Sequence, residues 1–97
     1  MNAELKRGIA PEHPGIILRE MYAEPLGITN SYLAENIGVT RITVNKLLNG
    51  RQGITAEMAL RLSKAFKTSP LFWLNLQRNY DLWLAEKNFK EDIKAIA

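Results

Sequence analysis

The feature that most constrains this chain is residues 29–50, TNSYLAENIGVTRITVNKLLNG, where two short amphipathic runs are joined by a single glycine. Leu33, Ile37, Val39, Val44 and Leu47 recur at helical spacing on either side of Gly38. Thr29 or Asn30 can cap the first run, Gly38 can take the left-handed conformation that a tight exit needs, and Thr40 can cap the second. Two helices crossing at a steep angle need a small residue at closest approach, and Ala34 fits. Leu33, Ile37, Val44 and Leu47 then fill the wedge between them. This pattern predicts a helix-turn-helix.

The outer face of the second run carries the chemistry. At 100° per residue Val44 and Leu47 point inward, while Arg41, Ile42, Asn45, Lys46 and Asn49 share the opposite arc. Positions 42, 45, 46 and 49 have the spacing of a core stripe, yet three of the four are polar. With Thr40 and Arg41 at its edge, such a stripe can hydrogen-bond base edges and phosphates in a major groove. Ile42 either meets a thymine methyl group or packs under a neighbouring loop. The turn Asn49-Gly50-Arg51-Gln52-Gly53 follows, and its glycines allow close backbone approach. It sets Arg51 beside the helix end, where a phosphate would lie. The candidate DNA contacts are Asn30, Ser31, Thr40, Arg41, Ile42, Thr43, Asn45, Lys46, Asn49 and Arg51.

Charge supports this placement. The net charge is only +3, but residues 40–67 alone carry +5 and the rest −2. Arg41, Lys46, Arg51, Arg61, Lys64 and Lys67 face only Glu57 there, so positive potential collects on and just after the second run. A solvated helix face is the plainer reading of the same residues.

The 97 residues suffice for one modest helical core, which suits a small binding module better than a substrate-enclosing fold. There is no cysteine, so disulfides and thiolate metal sites are excluded, and a reducing compartment fits. No secretory signal or membrane-length apolar run is legible, and the cytoplasm is the expected address. Catalysis is not expected. With one histidine, Asp81 and Asp92 as the only aspartates, and no phosphate-cradling glycine loop, the usual triads, metal sites and nucleotide sites cannot be assembled. Glu20 and Glu24 lie one turn apart beside the Pro25 break and read as solvent-facing. No cofactor is implied.

Residues 1–12 lack periodicity and read as a flexible arm. His13-Pro14-Gly15 opens a first helix with Pro14 at its first position and Ile17, Leu18 and Met21 facing inward, and Pro25 and Gly27 end it. His13, the sole histidine, reads as a helix-start residue rather than a ligand. A helix after Thr55 presents Met58, Ala59, Leu62, Ala65 and Phe66 to the core, with Glu57 in its first turn.

Ser69-Pro70 restarts the chain as a helix over residues 70–87 with two apolar faces. Phe72, Trp73, Leu76, Tyr80, Trp83 and Leu84 form the wide face; Leu71, Leu74, Leu82 and Ala85 form a narrower one. One helix at the edge of a small core can bury only one face against its own chain, so the other needs a partner. The wide face is taken as the candidate interface of a two-fold homodimer, because aromatic residues favour interface cores. Alternatively Phe89, Ile93 and Ile96, at helical spacing in the tail 88–97, fold back as a short helix to cover the exposed face.

Together His13-Pro14-Gly15, Leu33-Ala34, Gly38-Val39, Leu47-Leu48-Asn49-Gly50-Arg51, Ile54-Thr55, Met58-Ala59-Leu60-Arg61-Leu62, Pro70, Trp73-Leu74-Asn75-Leu76-Gln77 and Tyr80-Asp81-Leu82 resemble the HigA-type antitoxins of bacterial toxin-antitoxin operons. These are a branch of the lambda-repressor-like helix-turn-helix proteins. The resemblance covers residues 13–84 and implies an all-α, five-helix DNA-binding domain over 13–87 with a C-terminal dimerisation helix. It also implies binding of a pseudo-palindromic double-stranded operator as a homodimer, autorepression, and neutralisation of a HigB-like toxin that cleaves messenger RNA. The family's recognition positions match Thr40, Arg41, Thr43, Asn45 and Lys46, while Ile42 stands where a small or polar residue is common. A stand-alone repressor without a toxin is the nearest alternative, and a protein-interaction module that no longer touches DNA is a more distant one.

Overall fold

The computed structural model describes residues 10–97, so most of the expected arm, residues 1–9, lies outside it. Five helices follow in chain order: α1 (Pro14–Leu18), continued by a π-helical turn over Arg19–Ala23, then α2 (Asn30–Ile37), α3 (Arg41–Leu48), α4 (Ala56–Phe66) and α5 (Pro70–Asn88). There is no strand among the described residues.

Local chemistry sets nearly every boundary. The hydroxyls of Thr29, Thr40, Thr55 and Ser69 each accept the backbone N–H three residues on, at 3.1 Å, and so begin α2, α3, α4 and α5. Thr29 rather than Asn30 therefore caps α2. Gly38 ends α2 at φ 76°, and the N–H groups of Gly38 and Val39 both return to the Ala34 carbonyl. A fixed turn between α2 and α3 results.

The core joins all five helices. Leu18, Leu33, Ala34, Ile37, Val44, Leu47, Leu48, Ile54, Met58, Ala59, Leu62 and Trp73 form one buried cluster, flanked by half-buried Tyr22, Phe66 and Phe72. Ala34 is buried between α2 and α3, as the steep crossing requires. Gly15 is the corresponding contact between α1 and α3: a methyl group there would stand 1.7 Å from the Leu47 carbonyl oxygen.

Three expectations change. Met21 is 63 % exposed instead of inward-facing. The π turn, closed by the Glu24 N–H on the Arg19 carbonyl, adds a residue to that turn and rotates Tyr22 and Ala23 into the core in its place. Trp73 is 0 % exposed, so it has no surface to offer a second copy and is not a dimer contact. Its rings pack on Phe72, Tyr22 and Phe66, and its indole N–H donates to Thr68 Oγ1 at 2.7 Å. Phe72, Leu76, Tyr80, Trp83 and Leu84 are half-buried against their own chain. Of the wide face, Trp73, Phe72 and Leu76 pack on the core and Tyr80 on His13, while Trp83 meets only Tyr80 and Lys87 of its own helix. Lastly, residues 89–97 form no helix and fold back over nothing, leaving Phe89, Ile93 and Ile96 exposed.

The exposed apolar surface of α5 is the narrow face. Leu71 and Leu82 are 65 % and 54 % exposed. Leu74, Leu82 and Ala85 floor a shallow groove of about 550 Å³ edged by Gln77, Arg78 and Asp81.

His13 tests the start of the fold. Its Nδ1 accepts the Gly15 N–H at 2.9 Å, and its ring stands edge-on to Tyr80, 5.0 Å between centroids. Burial holds its pKa below the ordinary 6.5, against the opposing pull of Asp81 and Glu12. The cap needs an unprotonated Nδ1. Because the folded value is depressed, the contribution is complete above pH 6.5 and is lost as pH falls below it through the folded value. Thermal melts should thus show His13→Asn, which keeps a capping oxygen without the titration, losing less stability than wild type between pH 7 and 5. Parallel losses would refute the cap's role.

Candidate nucleic-acid interface

The N-terminus of α2, all of α3 and the turn after it make one continuous polar surface. Val44, Leu47 and Leu48 anchor α3 inward, which forces Arg41, Ile42, Asn45, Lys46 and Asn49 outward; all five are exposed. Ile42 is 67 % exposed, so it packs under no loop and its branched side chain stands free on this face.

Two cross-links tie α2 to α3 on that surface. The Asn30 amide nitrogen donates to the Asn45 Oδ1, and the Arg41 guanidinium donates to Ser31 Oγ at 3.4 Å. Four of the sequence-derived candidates are thereby brought together. Thr40 and half-buried Thr43 bond each other's hydroxyls at 2.9 Å, so both serve the helix start. Asn49 donates its amide to the Asn45 carbonyl at 2.8 Å and caps the helix end. Lys46 and Arg51 are exposed, and the Arg51 N–H closes the turn on the Lys46 carbonyl at 2.8 Å.

Two residues do work that their sequence context hides. Arg61, counted among the cations, donates to the Ile37 and Gly38 carbonyls at 2.6 and 3.4 Å and pairs with Glu57 at 2.7 Å. It caps α2 and neutralises Glu57, so its charge does not belong to the free positive surface. Gln77 of α5 accepts the Ile54 N–H at 2.6 Å and donates to Asp81 at 2.9 Å, locking the end of the loop that carries Arg51. A side chain at Gly53 would meet Gln77 at 3.1 Å. Glycine opposite a glutamine was the available signal, but only the folded chain brings them together. Glu20 and Glu24 are exposed and lie 3.6 and 3.7 Å from the Arg19 guanidinium, as befits a solvent-facing pair.

A short helix fixed at both ends, exposing amides and cations on its outer face, and joined to a preceding helix by a tight glycine turn, defines a helix-turn-helix domain. The helix-turn-helix family model matches residues 18–73. An uncharacterized HTH-type transcriptional regulator of Haemophilus influenzae is 46 % identical over 78 residues, which cover 80 % of this chain and 73 % of that protein. Antitoxin HigA-1 of Vibrio cholerae is 41 % identical over 86 residues, covering 89 % and 81 %. A solved structure of Pseudomonas aeruginosa antitoxin HigA with the higBA promoter superposes with a TM-score of 0.80 at 36 % identity, covering 90 % of this chain and 99 % of that one. The chain belongs to the helix-turn-helix family, in its HigA-type antitoxin branch. That is not an enzyme family, and the expectation of no catalytic role stands on the membership.

Proposed function

We propose that the chain is an operator-binding antitoxin of a type II toxin-antitoxin system. As a homodimer it sets two copies of α3 into half-sites of a pseudo-palindromic duplex about 34 Å apart, or a multiple of that. It represses its own operon and neutralises a HigB-like, mRNA-cleaving toxin in the cytoplasm. The observation that carries the DNA-binding part is the exposed row Arg41, Asn45 and Lys46 on α3, with Arg51 exposed in the turn after it. The antitoxin part draws its support from the Vibrio and Pseudomonas relatives. A second reading, a stand-alone repressor, is compatible with the Haemophilus relative, which is named only as an HTH-type transcriptional regulator. Co-expression with the neighbouring gene product and pull-down separates the two: a co-purifying ribonuclease supports the antitoxin, and none supports the repressor.

Anisotropy titrations against the chain's own upstream DNA test the roles. Lys46→Ala should weaken binding to every sequence and reduce the salt slope by about one, as one phosphate contact is lost. Asn45→Ala should cost about 1–3 kcal/mol at one base pair only. Equal losses on specific and random duplexes for both variants would overturn the assignment.

For the dimer, the exposed strip of Leu71, Leu82 and Ala85, floored by half-buried Leu74, is the surface we assign to the second copy. Light scattering should show a dimer at micromolar concentration and a monomer for Leu82→Glu, whose carboxylate would be desolvated between copies. A monomeric wild type would remove the dimer.

A further inference from the structure

The link between Asn30 and Asn45 has a consequence for which base is read, and it rests on the DNA-binding reading above. Asn30 occupies the first position of α2, directly after the Thr29 cap, and Asn45 lies on the exposed arc of α3. The Asn30 Nδ2 donates to the Asn45 Oδ1, so the carbonyl end of the Asn45 amide is turned toward α2 and already has a partner. Its Nδ2 is the end left to meet a base.

An unconstrained asparagine reads adenine with both ends of its amide: Nδ2 donates to N7 while Oδ1 accepts from the N6 amino group. With the carbonyl end drawn toward α2, the N–H groups of the amide are what face the groove. Guanine offers N7 and O6, two acceptors and no donor, on its major-groove edge. Adenine offers the amide only N7 and sets its own N6–H beside the second N–H, while cytosine offers only the N4–H donor. We propose that Asn30 is a specificity-determining residue that makes Asn45 a donor-only probe, selecting guanine over adenine at the base pair it reaches. Asn30 acts here through Asn45 rather than by touching that base. The second cross-link, Arg41 to Ser31, steadies the same seam one turn earlier on α3.

Selection from a randomised duplex library, followed by competition titrations at each position, tests this with the full chain. In wild type, the position whose preference Asn45→Ala abolishes should be a guanine, favoured over adenine by roughly tenfold, within the range one bidentate contact supplies. Asn30→Ala frees the carbonyl and should bring that ratio to about one or below, leaving preferences elsewhere in the motif unchanged. Asn30→Asp can only accept, so it should draw Nδ2 inward, turn Oδ1 outward, and move the preference to adenine or cytosine. Ratios taken within each variant cancel the uniform loss caused by the added charge. A change in base order is an effect that mere loosening of α2 would not produce. Adenine at that position in wild type, or a ratio within twofold of wild type in both Asn30 variants, overturns the inference while leaving DNA binding intact. A wild-type protein that enriches no motif overturns the DNA-binding reading itself.

Discussion

Gly15→Ala is expected to destabilise the fold by about 4 kcal/mol or more, a cost reserved for substitutions the surroundings cannot absorb. The added Cβ would stand 1.7 Å from the Leu47 carbonyl oxygen and 2.7 Å from its carbon. Those are backbone atoms of α3, so no rotamer change relieves the contact; α1 and α3 must separate. The carbonyl also accepts the Gly50 N–H at 3.1 Å, and the Gly15 N–H is bonded to His13, so separation disturbs the helix start and the turn carrying Arg51 together. For a domain of this size the thermal midpoint should fall by roughly 15–30 °C, readable by circular dichroism. Gly27→Ala is the control. That glycine has φ 68° with nothing within 4 Å of the added atom, so only the left-handed backbone is strained, at about 1–2 kcal/mol. Equal effects of the two would mean that α1 does not pack on α3 at this distance.

What the chain discloses before folding follows the range of the interactions involved. The helix pair 30–48 was legible because its determinants are local: a hydroxyl three residues before the N–H it caps, a glycine at the left-handed exit, and a small residue at the crossing. The outward row of Arg41, Asn45 and Lys46 followed from the inward anchors Val44 and Leu47. Arg61 shows where such reading stops. Its charge is visible in the sequence, but its engagement by carbonyls 24 and 23 positions earlier is not, so a charge count overstates the free positive surface. Met21 failed for another reason. The π turn changes the local period, and a wheel drawn at 100° per residue then points to the wrong side. Gly15 appeared only as one letter of a motif, though its partner Leu47 lies 32 positions on.

The two-faced helix α5 posed the hardest question for the sequence, because amphipathic periodicity does not say which face meets the same chain. Trp73→Ala separates the alternatives and should cost about 3–5 kcal/mol. The indole is wholly buried among Tyr22, Phe66 and Phe72, at centroid distances of 5.5, 6.5 and 4.9 Å, and removing it also strips Thr68 Oγ1 of its donor. Since those partners belong to the same chain, the loss should be nearly independent of protein concentration and should remain in the background of Leu82→Glu. A residue at a dimer interface behaves otherwise: its substitution shifts the midpoint by an amount that depends on protomer concentration through mass action. Melts of Trp73→Ala and Leu82→Glu over a hundredfold range of concentration therefore place the two faces. A deficit in Trp73→Ala that vanished on dilution would return Trp73 to the subunit interface, against the burial that assigns it to the monomer core.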